Sequence, residues 1–137
     1  MPSFSDQRPT ILVIDDCAVT QTLLQRLLDN HYRVLVQGSA LEALALVENG
    51  QKIDLFLLDV TMPGMDGLEF CRTLRQLPGY RQVPVVVLTA RTKAFDRVQG
   101  AIAGATAYLT KPIQPSLVLE TLNRYLGGAV RPGNGNG

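Results

Sequence analysis

The sequence predicts one α/β domain, a five-stranded parallel sheet of order 2-1-3-4-5 with helices on both faces. Three observations predict it. Short apolar, β-branched runs alternate with longer stretches of helical spacing, as strands joined by helical crossovers do. The first, third and fourth runs are the most continuously apolar, which places those strands inside the sheet. Polar residues gather where these runs end, at Asp15-Asp16, Asp59, Thr89 and Lys111. Ligand chemistry collects at that edge of a parallel sheet.

The 137 residues suit one domain, and 46% of them are hydrophobic, enough for a core. Thirteen basic residues against twelve acidic ones give a net charge of +1. That balance leaves no footprint for direct nucleic-acid or membrane-surface binding. The longest apolar runs are strand-sized, and residues 1–9 lack the layout of a signal peptide. A cytoplasmic protein is expected, with Cys17 and Cys71 as reduced thiols packed near helices.

In chain order, residues 1–9 form a flexible lead-in to a domain over 10–127. Thr10–Ile14 has the pattern of a strand buried on both faces, and it stops at Asp15-Asp16. A helix follows to about Asn30, with Val19, Leu23, Leu24, Leu27 and Leu28 at helical spacing; His31, near its end, suits the helix dipole and has no phosphorelay role. Arg33–Gln37 reads as an edge strand. Ser39 and Glu42 form a capping box, and Asn49-Gly50 stops the helix they begin. Ile53–Leu58 is the third strand and Asp59 follows it. A third helix starts near Asp66-Gly67 and ends before Pro78-Gly79. Pro84–Leu88 is a buried strand, and a helix is expected over about 94–103. Ala107–Thr110 is the short fifth strand. Pro115 opens a last helix that Gly127-Gly128 should end, leaving 128–137 as a disordered Gly/Asn-rich tail. This is the flavodoxin-like (βα)5 arrangement.

In the order 2-1-3-4-5, Asp15, Asp16, Asp59, Thr89 and Lys111 converge at one edge. Each has an ordinary reading: a helix cap for either member of the acidic pair, a strand-end hydroxyl, a solvated lysine. Together they are three carboxylates, a hydroxyl and an ammonium, each group after its own strand. Carboxylates that close raise one another's pKa, and a hard divalent cation resolves the repulsion. Oxygen ligands without His or Cys favour Mg2+ over zinc, and Mg2+ leaves room for phosphate oxygens. An Asp carboxylate can act as nucleophile in making an aspartyl phosphate, and Asp59 is the best-placed candidate.

The chain resembles the receiver (CheY-like) domain of two-component response regulators over about residues 10–126. The resemblance rests on the acidic pair, Leu58-Asp59-Val60-Thr61-Met62-Pro63-Gly64-Met65-Asp66-Gly67, Leu88-Thr89-Ala90 and Tyr108-Leu109-Thr110-Lys111-Pro112. It implies that Asp59 takes a phosphoryl group from a sensor histidine kinase or phosphotransfer protein. It implies Mg2+ held by Asp16, Asp59 and the Thr61 backbone carbonyl, with Asp15 helping through water. Lys111, whose bond to Pro112 is cis in the family, would pair with the phosphoryl oxygens. Thr89 would hydrogen-bond the phosphoryl group and Tyr108 would rotate into the space Thr89 leaves. Thr61 and Arg91 would tune the phosphate lifetime, Arg91 by shielding it. A surface over 93–126 would contact a downstream protein, the chain being a monomer or weak dimer. Where transcription-factor receivers often carry acidic residues before the tyrosine, this chain has Thr106-Ala107, which puts the charged dimer face in doubt.

The competing readings are a Mg2+-dependent phosphatase with an Asp nucleophile and a non-phosphorylated scaffold. Haloacid-dehalogenase-like phosphatases want a second Asp two residues after the first, where Thr61 stands, and there is no cap-sized insertion. Apart from its own phosphorylation and dephosphorylation, the chain is expected to catalyse nothing.

Overall fold

A computed structural model describes residues 7–62, 66–90 and 104–130, with 128–130 as backbone only. Five parallel strands lie in the order β2-β1-β3-β4-β5, as the run lengths predict. They are β1 (Thr10–Ile14), β2 (Arg33–Gln37), β3 (Leu55–Asp59), β4 (Val85–Ala90) and β5 (Ala107–Lys111). The helices among the described residues are α1 (Ala18–Leu28), α2 (Ala40–Glu48), α3 (Gly67–Arg75) and α4 (Pro115–Val130). The helix expected over 94–103 falls outside the described residues.

Alternation along each inner strand divides the core in two, because successive side chains of a strand point to opposite faces. Leu12, Ile14, Phe56, Leu58, Val85 and Val87 pack with Ala43 and Val47 of α2 and Phe70, Cys71 and Leu74 of α3. Ile11, Val13, Leu55, Leu57, Val86 and Leu88 pack on the other face with Leu24 and Leu28 of α1 and Val118 and Leu122 of α4. β1 and β3 are therefore buried on both sides, which is why they read as unbroken apolar runs. Phe56 meets Phe70 and Tyr80 edge-on, with centroids 5.9 and 6.0 Å away.

Local signals set most boundaries. Ser39 caps α2, its Oγ accepting from the Glu42 amide at 3.1 Å. Asn49 and Gly50 end it, Gly50 at φ 102°, a left-handed conformation open to glycine. Asp66 caps α3 by accepting from the Glu69 amide at 3.0 Å.

Several boundaries differ from expectation: β4 runs Val85–Ala90 rather than Pro84–Leu88, and β5 ends at Lys111 rather than Thr110. α1 stops at Leu28 rather than Asn30, because the chain must turn to bury Tyr32 and enter β2 at Arg33. β3 starts at Leu55 rather than Ile53: the Ile53 amide donates to the Tyr80 hydroxyl at 3.0 Å, not to a neighbouring strand. At its other end β3 includes Asp59, paired in register with Leu88. α4 runs through Gly127-Gly128 to Val130, so residues 128–130 are helical. Glycine weakens a helix interior by about 1 kcal/mol without ending it unless it takes the left-handed cap conformation.

The residue before β5 adds to the pairing of the strand with β4. The Thr106 amide donates to the Val85 carbonyl at 2.7 Å, and Thr106 Oγ1 accepts from the Val85 amide at 3.0 Å. Arg75 donates to the carbonyls of Tyr80, Val83 and Gly104, tying α3 to both neighbouring loops. Burial holds the Arg75 guanidinium below its ordinary pKa.

The Tyr80 hydroxyl is the sole acceptor described for the Ile53 amide. Tyr80→Phe should cost about 1–3 kcal/mol of unfolding free energy, the penalty of a buried unpaired N–H. Urea denaturation checks this, and an unchanged midpoint would mean that water reaches the amide.

Candidate functional site

The ends of β3, β4 and β5 and the loops after β1 and β3 build the site at the carboxyl edge of the sheet. β1 and β3 are neighbours, so Asp15, just after β1, and Asp59, at the end of β3, are brought side by side. Asp15, Asp16 and Asp59 each present a carboxylate oxygen, and these oxygens lie within 4.8 Å of one another. Asp15 and Asp59 are buried and Asp16 is exposed. Lys111 ends β5 and reaches past β4 to both buried carboxylates. Its Nζ lies 3.1 Å from Asp59 Oδ2 and 3.5 Å from Asp15 Oδ2. The Lys111–Pro112 peptide is cis.

Asp59 is held from two sides. Oδ1 accepts from the Thr61 amide at 2.9 Å and from the Thr61 hydroxyl at 2.6 Å. Oδ2 accepts from Lys111. Asp15 is held less completely. Its Oδ1 accepts from the Cys17 amide at 2.8 Å, and its backbone carbonyl accepts from the Gln21 side chain. Its Oδ2 is buried with no hydrogen-bond partner.

The expected residues are thus largely assembled. Thr89 is buried at the end of β4, one position beyond the partner of Asp59, with its hydroxyl 3.4 Å from the Ala90 carbonyl. Tyr108 is half-buried on β5, opposite Val87, and burial pushes its hydroxyl pKa up, with Cys71 adding to the shift. Arg91 lies outside the described residues. The cap reading of the acidic pair fails in one respect, because the N-cap of α1 is Cys17. Cys17 is exposed rather than packed, and Cys71 is buried. Sequence reasoning missed the Thr61 hydroxyl, the Cys17 amide and Gln21. An Asp two residues before a helix cap signals an Asx turn, and that signal points to the Cys17 amide.

The electrostatics follow from burial. Asp15 has its pKa raised, chiefly by burial and further by the charge of Asp59, against the lowering effects of the Cys17 amide and Lys111. For Lys111, burial alone would lower the pKa. The hydrogen bond to Asp59 and the charges of Asp59 and Asp15 outweigh burial and raise it. The signs give opposite effects on stability. A carboxyl with a raised native pKa makes the fold less stable as pH rises through that value. A lysine with a raised native pKa stabilises the fold below its ordinary value, and that contribution is lost as pH climbs through the raised one.

A buried carboxylate oxygen with no hydrogen bond, only an ion pair at 3.5 Å, beside two other carboxylates fits a hard divalent cation. In metal-free buffer at pH 7, Asp15→Asn should therefore unfold at higher urea than the parent chain. The advantage should shrink as acid protonates Asp15 in the parent. Equal midpoints at pH 7 would show that Lys111 already neutralises the cost.

The response regulator receiver domain family matches residues 11–123. The response regulator PleD of Caulobacter vibrioides is 43% identical over 119 residues, covering 84% of this chain and 26% of PleD. Protein PilH of Pseudomonas aeruginosa is 33% identical over 119 residues, covering 86% of this chain and 98% of PilH. The chain thus spans about a quarter to a half of the length of several curated relatives and nearly all of PilH. Among solved structures, the receiver domain of the sensor histidine kinase PA1611 from Pseudomonas aeruginosa PAO1 superposes with a TM-score of 0.77 at 31% identity. That match covers 88% of this chain and 98% of the other, whose active-site cleft coordinates a magnesium ion. With strand order, acidic edge and family match all in agreement, the chain belongs to the receiver domains of two-component response regulators.

Proposed function

We propose that Asp59 accepts a phosphoryl group from a phosphohistidine of a sensor histidine kinase or phosphotransfer protein. The phosphorylated domain then controls a partner protein through the surface over 93–126. One observation carries this reading: both oxygens of the buried Asp59 carboxylate are held, by Thr61 and by Lys111, at the open edge of the sheet. A carboxylate fixed in orientation has already lost the freedom that attack would otherwise cost.

In the transfer, an Asp59 oxygen forms a bond to phosphorus while the bond from phosphorus to the donor imidazole nitrogen breaks. The bonding pair stays on that nitrogen, which then takes a proton. Lys111 is placed to follow the phosphoryl oxygens once Asp59 no longer needs its charge. Asp15, Asp16, Asp59 and the Thr61 carbonyl would hold Mg2+. When bound, the ion supplies positive charge that offsets the carboxylates and the incoming phosphoryl oxygens.

Thr89 gives the site its second state. Its hydroxyl makes one long bond to Ala90, which it can exchange for a phosphoryl oxygen at little cost. Tyr108, two strand positions before Thr110, the register partner of Thr89, then turns inward. A contact made in one state and not in the other is what shifts an equilibrium. Thr61 and Arg91 set the lifetime of the acyl phosphate and lengthen it. The chain turns over no small metabolite, binds no nucleic acid directly, and works in the cytoplasm as a monomer or weak dimer. No helix among the described residues is long and apolar enough to cross a membrane.

Intact mass after incubation with acetyl phosphate and Mg2+ tests the acceptor. The chain should gain one phosphate and Asp59→Asn none. Lys111→Gln should be labelled about 100-fold more slowly, the scale of losing one charge-stabilising donor. Labelling of Asp59→Asn at the parent rate, or none of the parent with Mg2+ shown to bind, would overturn the assignment. A phosphate lifetime of seconds would overturn the role given to Thr61 and Arg91.

A further inference from the structure

We propose that the groove between the amino ends of α2 and α3 docks a partner segment that presents a basic side chain beside an apolar one. The groove encloses about 380 Å³ and opens next to the phosphoacceptor loops. Its lining is apolar at Ala40, Leu44, Met62 and Phe70, with Met62 and Phe70 buried beneath it. Leu41, also in the lining, is 79% exposed, so a large aliphatic side chain stands in water at the lip.

The polar part of the lining has one sign. Asp16, Asp66 and Glu69 border the groove, and no basic residue lines it among the described residues. Asp66 has committed one oxygen to the Glu69 amide as the cap of α3, and Asp16 and Glu69 are exposed. A local negative surplus on a chain of net charge +1 is a feature of this place, not of the whole surface. The volume is at the small end for ligand sites and accommodates one or two side chains. Lysine and arginine match it best: an aliphatic stem can cover the apolar lining while the charged head meets the carboxylates. An acidic segment of the same shape would be repelled.

The groove shares residues with the site. Asp16 belongs both to its lining and to the acidic triad, and Met62 follows Asp59 by three positions in the same loop. Given the phosphorylation proposed above, docking and the state of Asp59 are then linked, each changing the other's affinity by the same factor.

The test is an NMR titration of the 15N-labelled full chain, without metal, with acetyl-Leu-Arg-Leu-amide and acetyl-Leu-Glu-Leu-amide. The arginine peptide should shift amides within 39–44 and 67–73 and approach saturation by about 10 mM. The glutamate peptide should bind at least about tenfold more weakly, a difference of about 1.4 kcal/mol. The double variant Asp66→Asn/Glu69→Gln should weaken the arginine peptide by a similar factor. Asparagine is as good a helix cap as aspartate, so α3 should persist in it, which amide dispersion confirms. Equal binding of the two peptides, shifts confined to residues 15–17 and 59–61, or no shift at all would each overturn the docking site. Acetyl phosphate labelling of the same sample reads the phosphoacceptor separately, so a labelled chain with an indifferent groove overturns only this inference.

Discussion

Two buried carboxylates share one ammonium, and the rest of the molecule is arranged to make that possible. Asp15 and Asp59 leave water together, and Lys111 lies within 4 Å of both. Burying like charges side by side is costly unless something compensates. Compensation needs groups from strands that are distant in the chain. β1 and β3 must be neighbours, and β5 must stop at a height that lets Lys111 reach over β4. The parallel order supplies both conditions. The apolar sheet is therefore what sets the spacing of the charges, since each strand is fixed from both faces.

The compensation is incomplete, and that incompleteness is informative. Thr61 and Lys111 satisfy Asp59, while Asp15 retains a buried oxygen without a hydrogen bond. A fold selected for stability alone would have little use for such an atom. A site selected to receive a cation would. A buried oxygen without a hydrogen bond costs stability, and proteins tolerate such a cost mainly at functional sites.

Most of this was legible in the chain, for a physical reason. Strands buried on both faces carry few polar residues in their interiors, so Thr10–Ile14, Leu55–Leu58 and Val85–Leu88 stand out as runs. The clustered polar groups sit at strand ends, so locating the strands located Asp15, Asp59, Thr89 and Lys111. What remained hidden depends on contacts between distant segments. The Tyr80 hydroxyl takes the Ile53 amide out of the sheet, and nothing near Ile53 announces it. The pairing of Asp59 with Leu88 is a matter of register. Gly127-Gly128 carries a stop signal that α4 passes through, since propensity states a cost and not an outcome. The N-cap of α1 fell to Cys17, whose side chain makes no capping bond, although two aspartates precede it.

β5 is paired with β4 along its whole length, from Ala107 opposite Val86 to Lys111 opposite Ala90. Thr106, just before it, adds two bonds to Val85, and Gly104 is tied to α3 through Arg75, while β5 itself ends on the charged residue. It lies at the edge of the sheet, with β4 as its one neighbouring strand. In mechanical terms it is a batten fixed along one side, with the charge of Lys111 at its end. A force on the Lys111 ammonium is shared by the ladder to β4 and passes along the span that carries Tyr108. A strand held in this way carries load from one end along its length without unmaking the sheet.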